Sequence, residues 1–187
     1  MVTTRPGTPT VSDEIDWGQF NVLSSFQQSI STPQRFESYI DGIRGSIGEK
    51  GSPLFVVRNF DNNPHYGNDA ITANFAPGDW AIEVGAQLPS VPPPQILISF
   101  LQPVSFVGTQ LGRNGGGPFT ARVQVFSNNT LLGTFSENGN TTDLLDNSAI
   151  FLGVMDAKAE ITDVIYTVTD PTGQRVGLLI NQVSVIQ

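Results

Sequence analysis

The sequence predicts an all-β fold, a sandwich or barrel of antiparallel strands. Three observations carry the prediction. From Ile96 to Gln187, one short run rich in Val, Ile, Thr and Phe follows another. Clusters of Gly, Asn, Asp and Pro cut these runs apart, as in all-β domains. The chain is 39% hydrophobic and only 14% charged, so it has a core to bury and is not a disordered polyelectrolyte.

Residues 1–14 are rich in Thr, Pro and Ser without a period and read as a flexible tail. Residues 15–187 read as one sandwich domain, long enough to bury a core without staples. Ile15 to Phe20 reads as the first strand. Gln34 to Ile40 alternates like a strand; the competing reading is a short helix from Thr32 to Ile43, with Thr32 as cap and Pro33 at its first position. Gly42, Gly45 and Gly48 oppose a long helix. Pro53 to Arg58 is a stronger strand. Asp61 to Asp69 is a loop, dense in Asn, Asp, Pro and Gly. Ala70 to Phe75 reads as a short strand, Pro77-Gly78-Asp79 as a turn, and Trp80 to Val84 as a strand again. The Pro-rich stretch 89–94 is a stiff crossover within the domain. Then come Ile96–Phe100, Pro103–Val107, Phe119–Phe126, Leu131–Phe135, Ala149–Val154, Ile161–Val168 and Leu178–Val185. On the last strand, Leu179, Asn181, Val183 and Val185 share one phase. If that phase is inward, Asn181 is a buried amide that must find partners.

The net charge of −8 repels phosphate backbones, which disfavours nucleic acid and suits cations such as Ca²⁺. There is no cysteine, so disulfides, thiolate nucleophiles and Cys-based zinc sites are excluded. No apolar run approaches the ~18 residues of a membrane span. Met1 to Gly7 lacks the apolar centre of a signal peptide. Either the protein is not exported, or the chain starts after a removed signal.

Several segments carry a resemblance. They are Trp17-Gly18 after an Ile-Asp start, Asn74 to Asp79, Gly117 to Ala121, Leu132 to Phe135, Ser148 to Val154 and Ile180 to Ser184. In this order they resemble exported bacterial β-sandwich proteins of the PEP-CTERM type. The resemblance spans roughly residues 15–187 and is densest after Ile96. One feature departs from it: no Pro-Glu-Pro, apolar helix and basic tail follows Gln187. The resemblance implies export, to the cell surface or beyond, and a jelly-roll or galactose-binding-like sandwich. It implies no shared catalytic site.

The candidate chemistry is sparse. His65 is the sole histidine and lies in a polar loop, with no G-x-S-x-G or H-E-x-x-H motif to accompany it. Asp13, Glu14, Asp16, Glu37, Glu83, Asp143 and Asp146 are candidate carboxylates for glycoside hydrolysis, but no spacing pairs them. Asp61–Asp69 and Asp143 with Asp146-Asn147 are oxygen-rich loops of the kind that hold calcium, and also of the kind that simply turn. Asp16 and Asn181 would meet if the first and last strands adjoin, as calcium ligands do in galactose-binding-like sandwiches. Tyr66, Trp80, Arg113 and Arg122 are the candidate sugar platform, since aromatic faces stack on sugars and Arg bonds their hydroxyls. Trp17 and Trp80 read equally as core. Gly115 to Pro118 lacks the Lys and helix of a phosphate loop and reads as a hairpin tip.

The expectation is a non-enzymatic, extracellular or cell-surface sandwich for adhesion, matrix or glycan binding. The alternative is a subunit of an extracellular filament or sheath, self-associating through open β edges. A glycoside-cleaving enzyme is the third reading.

Overall fold

The computed structural model describes residues 2–3, 13–20, 27–30, 34–37, 43–48, 54–58, 73–84 and 94–187. The strands are β1 (Val2–Thr3), β2 (Asp13–Ile15), β3 (Gln27–Ile30), β4 (Gln34–Glu37), β5 (Arg44–Gly48), β6 (Leu54–Arg58) and β7 (Trp80–Val84). They continue with β8 (Ile96–Val104), β9 (Phe106–Arg113), β10 (Gly117–Ser127), β11 (Thr130–Thr141), β12 (Ile150–Met155), β13 (Ile161–Thr169) and β14 (Leu178–Ile186). All pair antiparallel, in two sheets.

The eight-stranded sheet runs β1-β12-β9-β14-β7-β6-β3, with β2 also on β14. The six-stranded sheet runs β11-β10-β13-β8-β5-β4. The strands β7 to β14 form a jelly roll: β12-β9-β14-β7 lies in one sheet and β11-β10-β13-β8 in the other. The strands before β7 broaden both sheets.

Alternation builds the core. On β10, Phe119, Ala121, Val123 and Val125 point inward and Arg122 outward. Ile96, Ile98 and Phe100 on β8, Val164, Tyr166 and Val168 on β13, and Val107 and Leu111 on β9 join the same cluster. Burying each Ile or Val side chain is worth roughly 1.5–3 kcal/mol. The β10–β11 hairpin closes at Asn128 and Asn129, with φ of 45° and 70°, the two left-handed residues of a type I′ turn.

Three local expectations change and one alternative is decided. Ile15–Phe20 is not one strand: β2 stops at Ile15 and Trp17–Phe20 winds into a 3₁₀ turn. Gln19 closes that turn with its backbone N–H and side-chain amide on the Asp16 carbonyl. The helical reading of 32–43 fails within the described residues, because Gln34–Glu37 pairs with Arg44–Ile47 as strands. Ala73–Phe75 is not a strand; the Asn74 carbonyl instead accepts the Ala149 N–H, tying two loops together. The runs around Pro103 merge differently: β8 continues through Pro103, where a register irregularity against β13 leaves Leu101, Gln102 and Pro103 exposed. Proline is accepted there because the ladder is already interrupted.

The last strand carries the largest correction. Against β9, Ile180 pairs with Leu111 and Val183 with Thr109, so Asn181 and Gln182 together face Gln110. This bulge reverses the side-chain phase. Ile180, Val183 and Val185 all enter the main core. Leu179 lies on the outer face, in a small cluster with Ala73, Phe75, Ala81 and Ala149. Asn181 is buried as expected, but on that outer face, under the loops.

Candidate functional site

Two places concentrate polar chemistry: a buried node at Asn181 and a cleft on the outer face of the six-stranded sheet.

The bulge frees backbone groups from the ladder, and buried backbone groups need partners. The Asn181 carbonyl accepts the Trp17 indole N–H at 2.8 Å. The Thr109 hydroxyl lies 2.9 Å from both the Asn181 and Gln182 carbonyls. The Asn181 amide donates to Asp79 Oδ2 at 2.6 Å and to Gln110 Oε1 at 2.9 Å, while its own oxygen accepts the Gln182 N–H. Gln110 in turn donates to Asn147 Oδ1 at 2.8 Å. The node therefore ties β14, β9, the 76–79 turn and the 142–149 loop into one network. It answers the question of where a buried amide finds partners, and both polar side-chain atoms of Asn181 and its carbonyl are engaged.

Strand β2 adjoins the last strand: Ile15 pairs with Val183, so Asp16 follows directly beside the bulge. Asp16 is half-buried and its carbonyl closes the 3₁₀ turn. Asp143 and Asp146 are exposed on the 142–149 loop. Bonds from Ser148 hold the Asp146 carboxyl below its usual range. Asn147, at φ 58°, connects this loop to Gln110 and thus to Asn181. Among the described residues, no three His, Cys, Asp or Glu side chains cluster to hold a metal.

The described members of the candidate sugar platform, Trp80, Arg113 and Arg122, do not come together. Tyr66 and His65 lie outside the described residues. Trp80 is half-buried and packs against the main core from β7. Arg113 ends β9, where its guanidinium donates to the Pro118 carbonyl at 3.2 Å and its N–H to Thr141 Oγ1 at 2.7 Å. Arg122 is exposed on the outer face of the other sheet. Trp80 and Arg122 therefore sit in different sheets, one turned to the core and the other to solvent.

The cleft was not anticipated. Strands β8, β10 and β13 are neighbours, and their outward residues Leu97, Phe126, Asp163 and Ile165 line it with Asn129 of the hairpin turn. Its volume is about 220 Å³. Asp163 receives the Ser99 hydroxyl at 2.6 Å on one carboxylate oxygen and the Thr162 hydroxyl at 2.7 Å on the other. A carboxylate has about four acceptor positions, so roughly two remain for a ligand. The only early signal was the outward phase of Leu97 and Ile165, apolar residues where alternation asks for polar ones.

No family model and no curated protein matches the sequence. Among solved structures, a DUF4465 family protein from Bacteroides caccae ATCC 43185 resembles this chain with a TM-score of 0.52. The match is 12% identical and covers 95% of this chain and 99% of that one. It supports the all-β sandwich fold.

Proposed function

We propose that this protein is a non-enzymatic β-sandwich module of the cell surface or extracellular space that binds a glycan or a glycosylated matrix component. The observation that carries the reading is the cleft between Leu97, Phe126, Asn129, Asp163 and Ile165. A sugar ring presents an apolar C–H face and a rim of hydroxyls. Phe126, Leu97 and Ile165 suit the face, while the Asp163 carboxylate and Asn129 amide suit the hydroxyls. Among the described residues a single carboxylate lines the cleft, whereas glycoside hydrolysis ordinarily uses two flanking the bond. The resemblance to exported sandwiches and the low charge support the location.

Glycan-array screening followed by titration tests this. Asp163→Ala should abolish binding of any hit, with circular dichroism confirming the fold, and Arg122→Ala should leave it unchanged. A blank array, or loss of binding in Arg122→Ala alone, would remove the cleft from consideration. The second reading, a self-assembling structural subunit, is favoured by one feature, the open edge of β11.

A further inference from the structure

We infer that β11 pairs antiparallel with β11 of a second copy of this chain, forming a closed two-fold dimer. The inference is independent of what the cleft binds.

Strand β11 forms one edge of the six-stranded sheet and is 12 residues long. The other described edge strands are far shorter: β1 has 2 residues, and β3 and β4 have 4 each. Long exposed edges are the ones that pair with other chains, and proteins usually blunt them with Lys, Pro or a bulge. From Thr130 to Thr141 there is no Lys, Arg or Pro, and Glu137 is the sole charge. The one irregularity lies at the strand's start, where the register shifts between Val125 and Phe126.

The ladder fixes which groups face outward. Pro118 stands opposite Asn140 and has no N–H to give. Asn140 turns away from β10, and its carbonyl accepts the Asn74 side-chain amide at 3.3 Å. Antiparallel strands alternate, so Asn138, Ser136 and Thr134 also aim their N–H and C=O outward. Among the described residues, none of these three has a backbone partner on that side. Their side chains are exposed, small and neutral, so a second copy brings no like charges together.

Glu137 excludes one register, and Ser136 is the outward-facing residue nearest the middle of β11. A pair centred on Glu137 would set two carboxylates directly opposite in the close, non-bonded position, which is destabilising. A pair centred on Ser136 places Thr134 opposite Asn138 of the second copy, and Glu137 opposite Phe135. The dimer axis is then perpendicular to the sheet. Such a contact is isologous and closes, so it does not grow into a filament. It joins two six-stranded sheets into one and leaves both clefts on the same face, a bivalent arrangement.

The absence of native cysteine makes the test clean. Bonded antiparallel pairs stand about 5.5 Å apart at Cα, within disulfide reach. Ser136→Cys should therefore crosslink to dimer under mild oxidation. Glu137→Cys should not, because its counterpart lies two positions off, beyond the roughly 7 Å limit. Analytical ultracentrifugation of the unmodified chain should show a monomer–dimer equilibrium. Ser136→Lys, which sets two cations together at the axis, should be monomeric, with an unchanged circular dichroism spectrum and a melting temperature that no longer rises with protein concentration. Ser136→Pro should also be monomeric, and its outward N–H is not part of the β10 ladder. A wild-type chain that stays monomeric at all concentrations overturns the inference. So does equal crosslinking at 137, a dimer that persists in Ser136→Lys, or growth into fibres.

Discussion

Asn181 donates its amide to Gln110 across the β9–β14 ladder at 2.9 Å, at the place where two residues of β14 face one of β9. The same amide reaches Asp79 at 2.6 Å. Asn181→Ala leaves the Gln110 oxygen and the Gln182 N–H without the Asn181 side chain in a partly buried setting, while Asp79 Oδ2 keeps the Ala76 N–H. Stranding such groups costs about 1–3 kcal/mol. Urea denaturation should show that loss, while Ser184→Ala, half-buried on the same strand, should change stability by less than about 0.5 kcal/mol. A smaller loss in Asn181→Ala than in Ser184→Ala would mean that the bulge is placed wrongly.

The node is held by protein donors and acceptors, so its stability should not depend on a cation. The wild-type melting temperature should be the same with calcium and with a chelator. A ligand that binds only the folded state raises stability by mass action, and its removal would lower the melting point. A clear drop on chelation, absent in Asn181→Ala, would place calcium at the node.

Gly45 is required by close approach. It stands opposite Phe36 on one side and Phe100 on the other. Those two rings meet edge to face at 6.1 Å. A Cβ at position 45 would press on the backbone carbonyl of Ser99 and come within 2.6 Å of the Phe36 ring. Backbone cannot swing aside as a side-chain tip can. Gly45→Ala should destabilise by at least the roughly 1–3 kcal/mol typical of overpacking, read from thermal or urea melts.

Much of this fold was legible because alternation is a local rule. Phe119, Ala121, Val123 and Val125 needed no knowledge of their partners to be read as one face, and the structure buries them together. What escaped was set by pairing. The Asn181 phase turned over because β14 carries an extra residue relative to β9, a relation that the strand's own pattern does not encode. Trp17 left its expected strand because its indole bonds a carbonyl 164 residues away. The cleft escaped for the same reason: Leu97, Phe126 and Ile165 become neighbours only once β8, β13 and β10 lie side by side.

The turn after β13 gives a pH-dependent reporter. Asp170 Oδ1 accepts the Thr172 hydroxyl at 2.6 Å, the Thr172 N–H at 2.9 Å and the Gln174 N–H at 3.1 Å. The Thr172 hydroxyl is the largest cause holding the Asp170 carboxyl below its usual range. A carboxyl depressed in the folded state lends stability above its unfolded pKa and loses it as pH falls through the folded one. Thr172→Val should raise the Asp170 pKa toward the ordinary value near 4 in a carboxyl NMR titration. No movement would show that the backbone donors suffice.

Tyr166 supplies the opposite limb. Its ring is fully buried in the core between the sheets, and its hydroxyl has no hydrogen-bond partner among the described residues. An unpaired hydroxyl costs on the order of 1–3 kcal/mol to bury, and Tyr166→Phe removes that cost while keeping the ring. The variant should therefore be as stable as the wild type or more so. Burial also pushes the Tyr166 pKa well above the ordinary tyrosine range. A raised pKa means that the stabilising difference is intact below about pH 10, where the unfolded tyrosine begins to ionise. Above that pH the unfolded chain gives up a proton that the folded chain keeps. Stability then falls by about 1.4 kcal/mol per pH unit from this group, until the folded pKa is reached. Tyr166→Phe should flatten the alkaline limb of the stability–pH curve by that slope. If the variant is instead clearly less stable at neutral pH, the hydroxyl has a partner and the core polarity at this position must be redrawn.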